Sequence, residues 1–406
     1  MDMGNQAGGL QASAIISKSA ATKFVVLIGI VSLFSDFTYE GARSIVGPFL
    51  ATLGASATAV GVVSGAGELI GYGFRLVSGY LTDRTRSYWT ILFIGYALNL
   101  FAVPLLALAG RWEIAAVLIV AERMGKAIRI PARDVMLSSA SDSIGRGWGF
   151  GLHEALDQIG AVLGPLAIAV TLHFKEGYEI GFAALLIPAI IAMAVLFFAM
   201  LLYRKPHDLR PAYVKLEGKG FSRAFWLYVA AVGCVAAGYA DFPLISYHFK
   251  KLSLVPDTWV PIFYAVAMGM DALAALVFGR LFDRLGLSVF IAAVLMSCFF
   301  APLVFMGGFY MGLAGMCLWG VGMGAQESIM RATVASMVPH DRLGLAFGVL
   351  NAGFGSLWFL GSVAMGILYD VSVGWLIVFS LAGQLISVPI LLIVNKRLPA
   401  ESLSLS

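Results

Sequence analysis

Acids and bases recur at helical intervals in segments that are otherwise apolar. Asp36, Glu40 and Arg43 stand four and three residues apart, which stacks them on one face of a helix. Glu122, Lys126, Arg129 and Arg133 follow at intervals of four, three and four, with Arg123 beside them. A third group holds His153, Glu154 and Asp157, and a fourth Glu68 and Arg75. Later in the chain the charges thin out to Asp241, Asp271, Glu327 and Arg331. Burial favours the neutral form of a carboxylic acid, and a nearby Arg or Lys favours its ionised form. Acids set among bases in an apolar environment therefore suit the uptake and release of protons, each neutralised acid freeing its basic partner. Asp36 is the first choice of proton carrier, then Asp157 and Glu154. His153 titrates in the useful range, although a lone helical His equally serves as a packed hydrogen-bonder.

The competing reading is mutual neutralisation. Glu122 and Lys126 have the four-residue spacing of an ion pair, and Arg129 and Arg133 have the alternative of lying at the membrane surface. In the first half of the chain, Asp36, Glu40, Glu68, Glu122, Glu154 and Asp157 stand against Arg43, Arg75, Arg123, Lys126 and Arg129. That near-balance leaves the charge of a bound solute open. Other chemistries lack their residues. There is no His-Glu-x-x-His, no Gly-x-Ser-x-Gly and no Cys/His cluster with metal spacing, so neither a metal site nor a membrane-embedded enzyme is indicated. A nucleotide-driven pump would need a Gly-x4-Gly-Lys-Ser/Thr loop, and none is present; the expected energy source is a proton gradient, with no cofactor. Cys234, Cys298 and Cys317 are odd in number and isolated, without a disulfide framework.

The elements that position these charges follow from composition. Of 406 residues, 60% are hydrophobic and 12% charged, against roughly 25% charged in a soluble domain. Twelve apolar runs have the length of a membrane-crossing helix: 23–50, 56–82, 88–109, 112–131, 147–172, 179–203, 223–247, 257–280, 287–307, 309–330, 344–368 and 372–395. The fold class is thus an all-α membrane protein. An ionisable side chain at bilayer depth costs roughly 2.5–3.5 kcal/mol on insertion scales, so these charges must face protein or water. With both termini in the cytoplasm, seventeen Lys and Arg fall on the cytoplasmic side and four on the other. The net charge of +4 is then a topology signal and not a nucleic-acid footprint. The first 20 residues show no basic n-region or cleavage site, so no removable signal peptide is expected.

The chain also repeats itself. Gly79-Tyr-Leu-Thr-Asp83-Arg84 returns as Gly279-Arg-Leu-Phe-Asp283-Arg284, and each copy closes an apolar run. Asp36-Phe37 is answered by Asp241-Phe242, and Phe150-Gly151 with Gly164 by Phe347-Gly348 with Gly361. Similar offsets argue for one duplication, and two like halves in a membrane chain point to transport. The polar stretch 204–222 divides an amino-terminal unit, 1–203, from a carboxyl-terminal unit, 223–406.

On these motifs the chain resembles the major facilitator superfamily over essentially its whole length. The resemblance implies twelve helices in two pseudo-symmetric six-helix bundles, with Gly-x-Leu-x-Asp-Arg in the cytoplasmic loops after helices two and eight. It implies a central cavity lined by helices one, four, seven and ten, where most of the charges fall. Asp36, Glu40, Arg43, Glu122, Arg123, Lys126, Arg129, Glu154, Asp157, Asp241 and Glu327 are the residues expected there. Arg123 resembles the family's fourth-helix arginine of proton transfer, with Met124-Gly125-Lys126 in place of the usual Gln-Gly. Gating is expected of Asp83, Arg84, Asp283 and Arg284, with both Asp side chains approaching the positive end of a helix in the opposite half. The first copy departs from the pattern, since Thr85-Arg86-Ser87 replaces x-Gly-Arg/Lys.

Gly151-x8-Gly160-x3-Gly164-Pro165 resembles a fifth-helix spacing that marks proton-coupled antiporters, where it sits at the bundle interface, although its closing Gly-Gly is here Ile168-Ala169. The stretches 36–43, 122–134 and 151–157 resemble a prokaryotic branch described as permeases and drug exporters. Together these imply secondary transport by alternating access, with a small organic solute leaving in exchange for protons. The alternative is a proton-coupled importer of a charged metabolite, and a non-transporting receptor is a further one. The expected setting is a monomer in the cell membrane, with protons, a small-molecule substrate and the lipid bilayer as partners. Tyr39, Tyr72, Phe242, Tyr247, Trp319 and Trp358 are suited to line an apolar pocket or to anchor at the membrane interface.

Overall fold

Within a bilayer each backbone N–H and C=O must find its partner inside the protein, and helices satisfy these groups within one segment. The computed structural model describes residues 18–141, 144–175, 177–203, 220–339 and 342–402. Among them are α1 (Lys18–Thr52), α2 (Ala57–Thr85), α3 (Tyr88–Leu105) with a 3-10 turn at Leu106–Leu108, α4 (Trp112–Ser141), α5 (Arg146–Phe174), α6 (Tyr178–Ala184) and α7 (Leu186–Leu202). There follow α8 (Arg223–Gly238), α9 (Phe242–Lys251), α10 (Trp259–Leu285), α11 (Ser288–Ser297), α12 (Phe300–Met306), α13 (Phe309–Met337), α14 (Leu343–Val371) and α15 (Val373–Ser402). With α6–α7, α8–α9 and α11–α12 each taken as one interrupted span, these make twelve crossings in two six-helix bundles. Residues 204–219 of the expected linker lie outside the described residues.

Nine spans among the described residues are long and apolar enough to cross a membrane by composition. The crossings that fall short are α2, α4 and α13, which carry Glu68 and Arg75, the charged stripe at 122–134, and a glycine-rich run ending in Glu327 and Arg331. Hydropathy underestimates these helices because part of their surface faces other protein or a cavity. The expected fourth segment stops at Pro131, yet α4 continues to Ser141. The charges at 133–134 end the apolar run without ending the helix.

The seventh span breaks where 223–247 was expected to be continuous. Gly238 ends α8, and Asp241 caps α9 by accepting the Phe242 N–H at 2.9 Å, with Pro243 in the first turn. The carbonyls freed there are satisfied by α13 and α15. Ser380 Oγ and Gln384 Nε2 donate to Gly238 O at 2.6 and 3.3 Å, and Trp319 Nε1 donates to Ala240 O at 2.9 Å.

The two halves repeat their packing. Within the first, α1 packs on α5 and α2 on α4; within the second, α8 packs on α14 and α10 on α13. A Cβ at Gly164 would lie 2.2 Å from Phe37 O, and one at Gly361 would lie 2.1 Å from Ala237 O. The repeated glycine thus does the same work in each half, letting two backbones touch. Gly160 likewise presses on Leu33 O of α1. Both α5 glycines therefore face α1 of their own half, while α5 separately meets α10 across the bundle interface.

Between halves, α2 packs on α14, α5 on α10 and α1 on α9. At the end where α1 finishes, the halves are closed. Asp370 of α14 accepts from the N–H groups of Ala57 and Thr58 at 3.3 and 2.8 Å and from Thr58 Oγ1 at 2.7 Å. Tyr247 Oη donates to Ala55 O at 3.1 Å, and Gly366 and Gly61 sit where a Cβ would strike the facing backbone.

Candidate functional site

Below that seal a cavity of about 670 Å³ separates the halves, with walls from α1, α2, α4, α5, α10, α13 and α14. Its lining residues run from Tyr39, Glu68, Arg123 and Trp358 toward the end where α2 and α10 finish. At that end Asp283 and Arg284 are exposed, Arg84 donates to Tyr80 Oη at 3.3 Å, and among the described residues these three make no bond to the other half. The side chain of Asp83 lies outside the described residues.

A chain of ion pairs forms the inner floor of the cavity. Arg43 of α1 meets Asp241 of the second half at 2.7 Å and Glu68 of α2 at 3.7 Å. Arg123 of α4 meets the same Glu68 oxygen at 2.9 Å and Glu122 at 3.6 Å. Tyr39 sits among the bases: Arg123 donates to its hydroxyl, and Lys126 Nζ lies 3.8 Å from its ring centroid. Glu40 accepts from Tyr264 Oη of α10 at 2.5 Å, a second bond across the halves. One glutamate, Glu68, is thereby shared by two guanidiniums, one of which also holds the opposite half.

A more enclosed group lies behind this floor. Arg129 is fully buried, 3.5 Å from Asp36 and stacked on Tyr96 at 4.4 Å from its centroid. One carboxylate oxygen of Asp36 and one of Asp157 are buried without a hydrogen-bond partner. His153 is buried and bonded to Ser32 at 2.7 Å, the packed arrangement, and does not line the cavity.

The expected Glu122–Lys126 ion pair is not formed. Glu122 turns toward α3 and accepts from Asn99 Nδ2 at 2.5 Å, while Lys126 extends over Tyr39. Asn99 carries no sequence signal, being an isolated polar residue in an apolar run. Glu68 and Arg75 were visible as charges, but only the fold brings them to the cavity wall. Of the expected site residues, Glu40, Arg43, Arg123, Lys126, Glu154 and Glu327 line the cavity. Asp241, Glu122, Asp36, Arg129 and Asp157 lie behind it. Among the aromatics, Tyr39, Tyr72 and Trp358 reach the cavity, Phe242 and Trp319 pack around the seventh-span break, and Tyr247 holds the seal.

The sequence and the fold have counterparts among known proteins. The family model described as Major Facilitator Superfamily matches residues 28–325 and 258–403. The chain belongs to the Major Facilitator Superfamily. An uncharacterized protein of Mycobacterium tuberculosis is 39% identical over 387 residues, covering 94% of each chain. An uncharacterized MFS-type transporter of Methanocaldococcus jannaschii is 29% identical over 187 residues, covering 46% of each. The fold is shared with the nucleoside transporter NupG, at TM-score 0.68 and 13% identity over 93% of this chain and 98% of that one. It is shared also with a peptide transporter POT solved with sulfate, at TM-score 0.72 and 13% identity over 93% and 94%. A facilitator of this fold is a multi-pass membrane protein that carries a small molecule across the bilayer.

Proposed function

We propose that this facilitator is a proton-coupled secondary transporter that exports a small organic solute in exchange for protons. The observation that carries the reading is the row Asp241–Arg43–Glu68–Arg123, which joins the two halves at the floor of the cavity. Neutralising one carboxylate in that row leaves a guanidinium underpaired in a low dielectric, which favours a different packing of the halves. Asp36, which faces the buried Arg129, and Asp157 serve as proton carriers beside it in this reading. The motif at Gly151, Gly160, Gly164 and Pro165 supports exchange and outward direction. With the Lys18 end of α1 in the cytoplasm, the cavity is open to cytoplasmic solute and sealed from outside by Asp370. In this scheme Asp83, Arg84, Asp283 and Arg284 gate the cytoplasmic end, meeting partners only when it closes. The protein would act as a monomer in the cell membrane, with both termini cytoplasmic and units 1–203 and 223–406 moving against each other.

The competing direction is import with protons. Everted and right-side-out vesicles containing the chain, supplied from outside with a candidate compound library under an imposed pH gradient, separate the two. Export predicts that everted vesicles acidified inside accumulate substrate as protons leave. Accumulation in right-side-out vesicles driven by an inward proton gradient would instead establish import.

A further inference from the structure

The sealed end depends on two contacts made by different helices of the second half. Tyr247 of α9 donates to Ala55 O at 3.1 Å, and Asp370 of α14 accepts from Ala57 and Thr58 at the start of α2. For both to reach the first half at once, α9 and α14 must hold a fixed register. His248, the residue after Tyr247, supplies the tie. Its Nδ1 shares a hydrogen bond of 2.9 Å with the hydroxyl of Tyr369, the residue before Asp370. The rings meet as well, His248 at 5.6 Å from Tyr369 and Tyr369 edge-on to Tyr247 at 5.8 Å. One bond thus couples the two seal contacts.

The surroundings of His248 suit an uncharged imidazole. Its side chain is fully buried, with Phe305 against the ring at 5.0 Å. Lys251, one turn further on, places its Nζ 5.2 Å from the centroid of Tyr369 and 5.4 Å from that of Tyr247. A positive charge therefore already rests on the tyrosines around the histidine. The other charges at this end are engaged elsewhere, Lys250 with Asp257 at 2.5 Å and Asp370 with the N–H groups of α2. The neighbouring elements bring no more. Residues 44–67 of α1 and α2 and 300–306 of α12 carry no ionisable side chain, α10 reaches its first charge only at Asp271, and Asp370 is the one charge on α14. A second positive charge at His248 would be buried with a neutral hydroxyl as partner and a cation nearby, a costly arrangement.

We infer that His248 is the positioning residue of the outer seal and makes that seal labile to acid. Neutral, it ties α9 to α14, so that Tyr247 and Asp370 close on the start of α2 together. Protonated, it leaves its buried slot, the bond to Tyr369 is lost and the two contacts no longer act in step. The seal is then firm above the ordinary titration range of histidine, about pH 6.5, and loosens as the pH falls through and below it. In the exchange scheme this lets protons outside open the end through which they enter. The inference rests on that scheme only for which face is outside.

Spin labels at Thr52→Cys and Ser253→Cys report the seal in the full chain in detergent, with the native cysteines replaced by alanine and no solute or gradient. The ratio of open to sealed populations should rise between pH 7.5 and 5.5. That rise should be at least about fivefold smaller in His248→Gln, whose amide keeps a hydrogen bond to Tyr369 without titrating. Tyr369→Phe should raise the open population already at pH 7.5. Lys251→Gln, an exposed change, should make opening require a lower pH, because a protonated imidazole then loses a repelling neighbour. A histidine with a merely structural role would weaken the seal in His248→Gln equally at both pH values. That result, an unchanged open population in Tyr369→Phe, or a pH profile unmoved in both His248→Gln and Lys251→Gln would overturn the inference. If His248→Gln does not fold, the Lys251→Gln profile decides. Absence of proton-driven transport in vesicles would leave this result untouched, and a seal indifferent to His248 would leave coupling through the central charges standing.

Discussion

Arg86 closes α2 with φ of 54°, and its N–H bonds Thr82 O at 2.9 Å. Gly286, at the same place in the second repeat, closes α10 with φ of 59°. Both copies of the Gly-x-Leu-x-Asp-Arg motif therefore end at positive φ, Arg86 in the left-handed helical region with ψ of 18° and Gly286 with ψ of −147°, a conformation open essentially to glycine alone. The sequence departure at Thr85-Arg86-Ser87 thus gives α2 a different exit from that of α10 and leaves an L-residue in a strained conformation, at roughly 1–2 kcal/mol. Arg86→Gly should relieve part of that strain and raise the thermal midpoint in detergent by about 1–2 °C, given the usual size scaling, whereas Arg86→Ala should not. A lower midpoint for the glycine variant would show that the Arg86 side chain makes a contact worth more than the strain. Arg129 poses the opposite situation, a fully buried guanidinium whose charge is met by Asp36 and by the face of Tyr96. Its position on the charged stripe was plain from spacing. That it turns inward to α1 and α3, while Arg133 remains at the cavity, depends on side-chain packing that spacing does not encode.

Helices carry the seal. The N-terminus of α2 offers free N–H groups and a partial positive charge, and Asp370 of the opposite half occupies it. This is the chemistry expected of Asp83 and Asp283 at the other end, found here where the halves are shut. Asp370→Asn removes the charge and one strong acceptor, which for an exposed group is worth about 1 kcal/mol or less. The seal should open more often. A Cys replacing Ser362, buried in the α2–α14 contact, should react with a membrane-impermeant maleimide roughly two to five times faster in the Asp370→Asn background. An unchanged rate would remove Asp370 from the gate. At this scale much was legible beforehand: twelve runs, the repeat and the close-packing glycines all reappear. The breaks were not read, although Gly238 and Asp241-Phe242-Pro243 announce one. Hydropathy sees a continuous apolar run there, because the freed carbonyls are satisfied by distant residues such as Ser380 and Trp319.

As a whole, the molecule is two similar bundles joined at the middle by charges that are not similar. Glu68 and Arg123 belong to the first half and have no counterparts in the repeat, yet they connect through Arg43 to Asp241 of the second. The set of charged residues could be read from the sequence, since ionisable groups in apolar helices stand out. Their partners could not, because pairs such as Arg43–Asp241 join residues far apart in the chain. The central claim is that protonation of this network decides which end of the molecule is closed. Double spin labels test it directly, with Cys234, Cys298 and Cys317 replaced by alanine. One pair, Leu81→Cys with Leu281→Cys, reports the open end; another, Thr52→Cys with Ser253→Cys, reports the sealed end. Lowering the pH from 8 to 5.5 should shorten the first distance and lengthen the second, and Glu68→Gln should bring about the same change at pH 8. Distance distributions that superimpose at both pH values, with Glu68→Gln indistinguishable from the unmodified chain, would contradict the account.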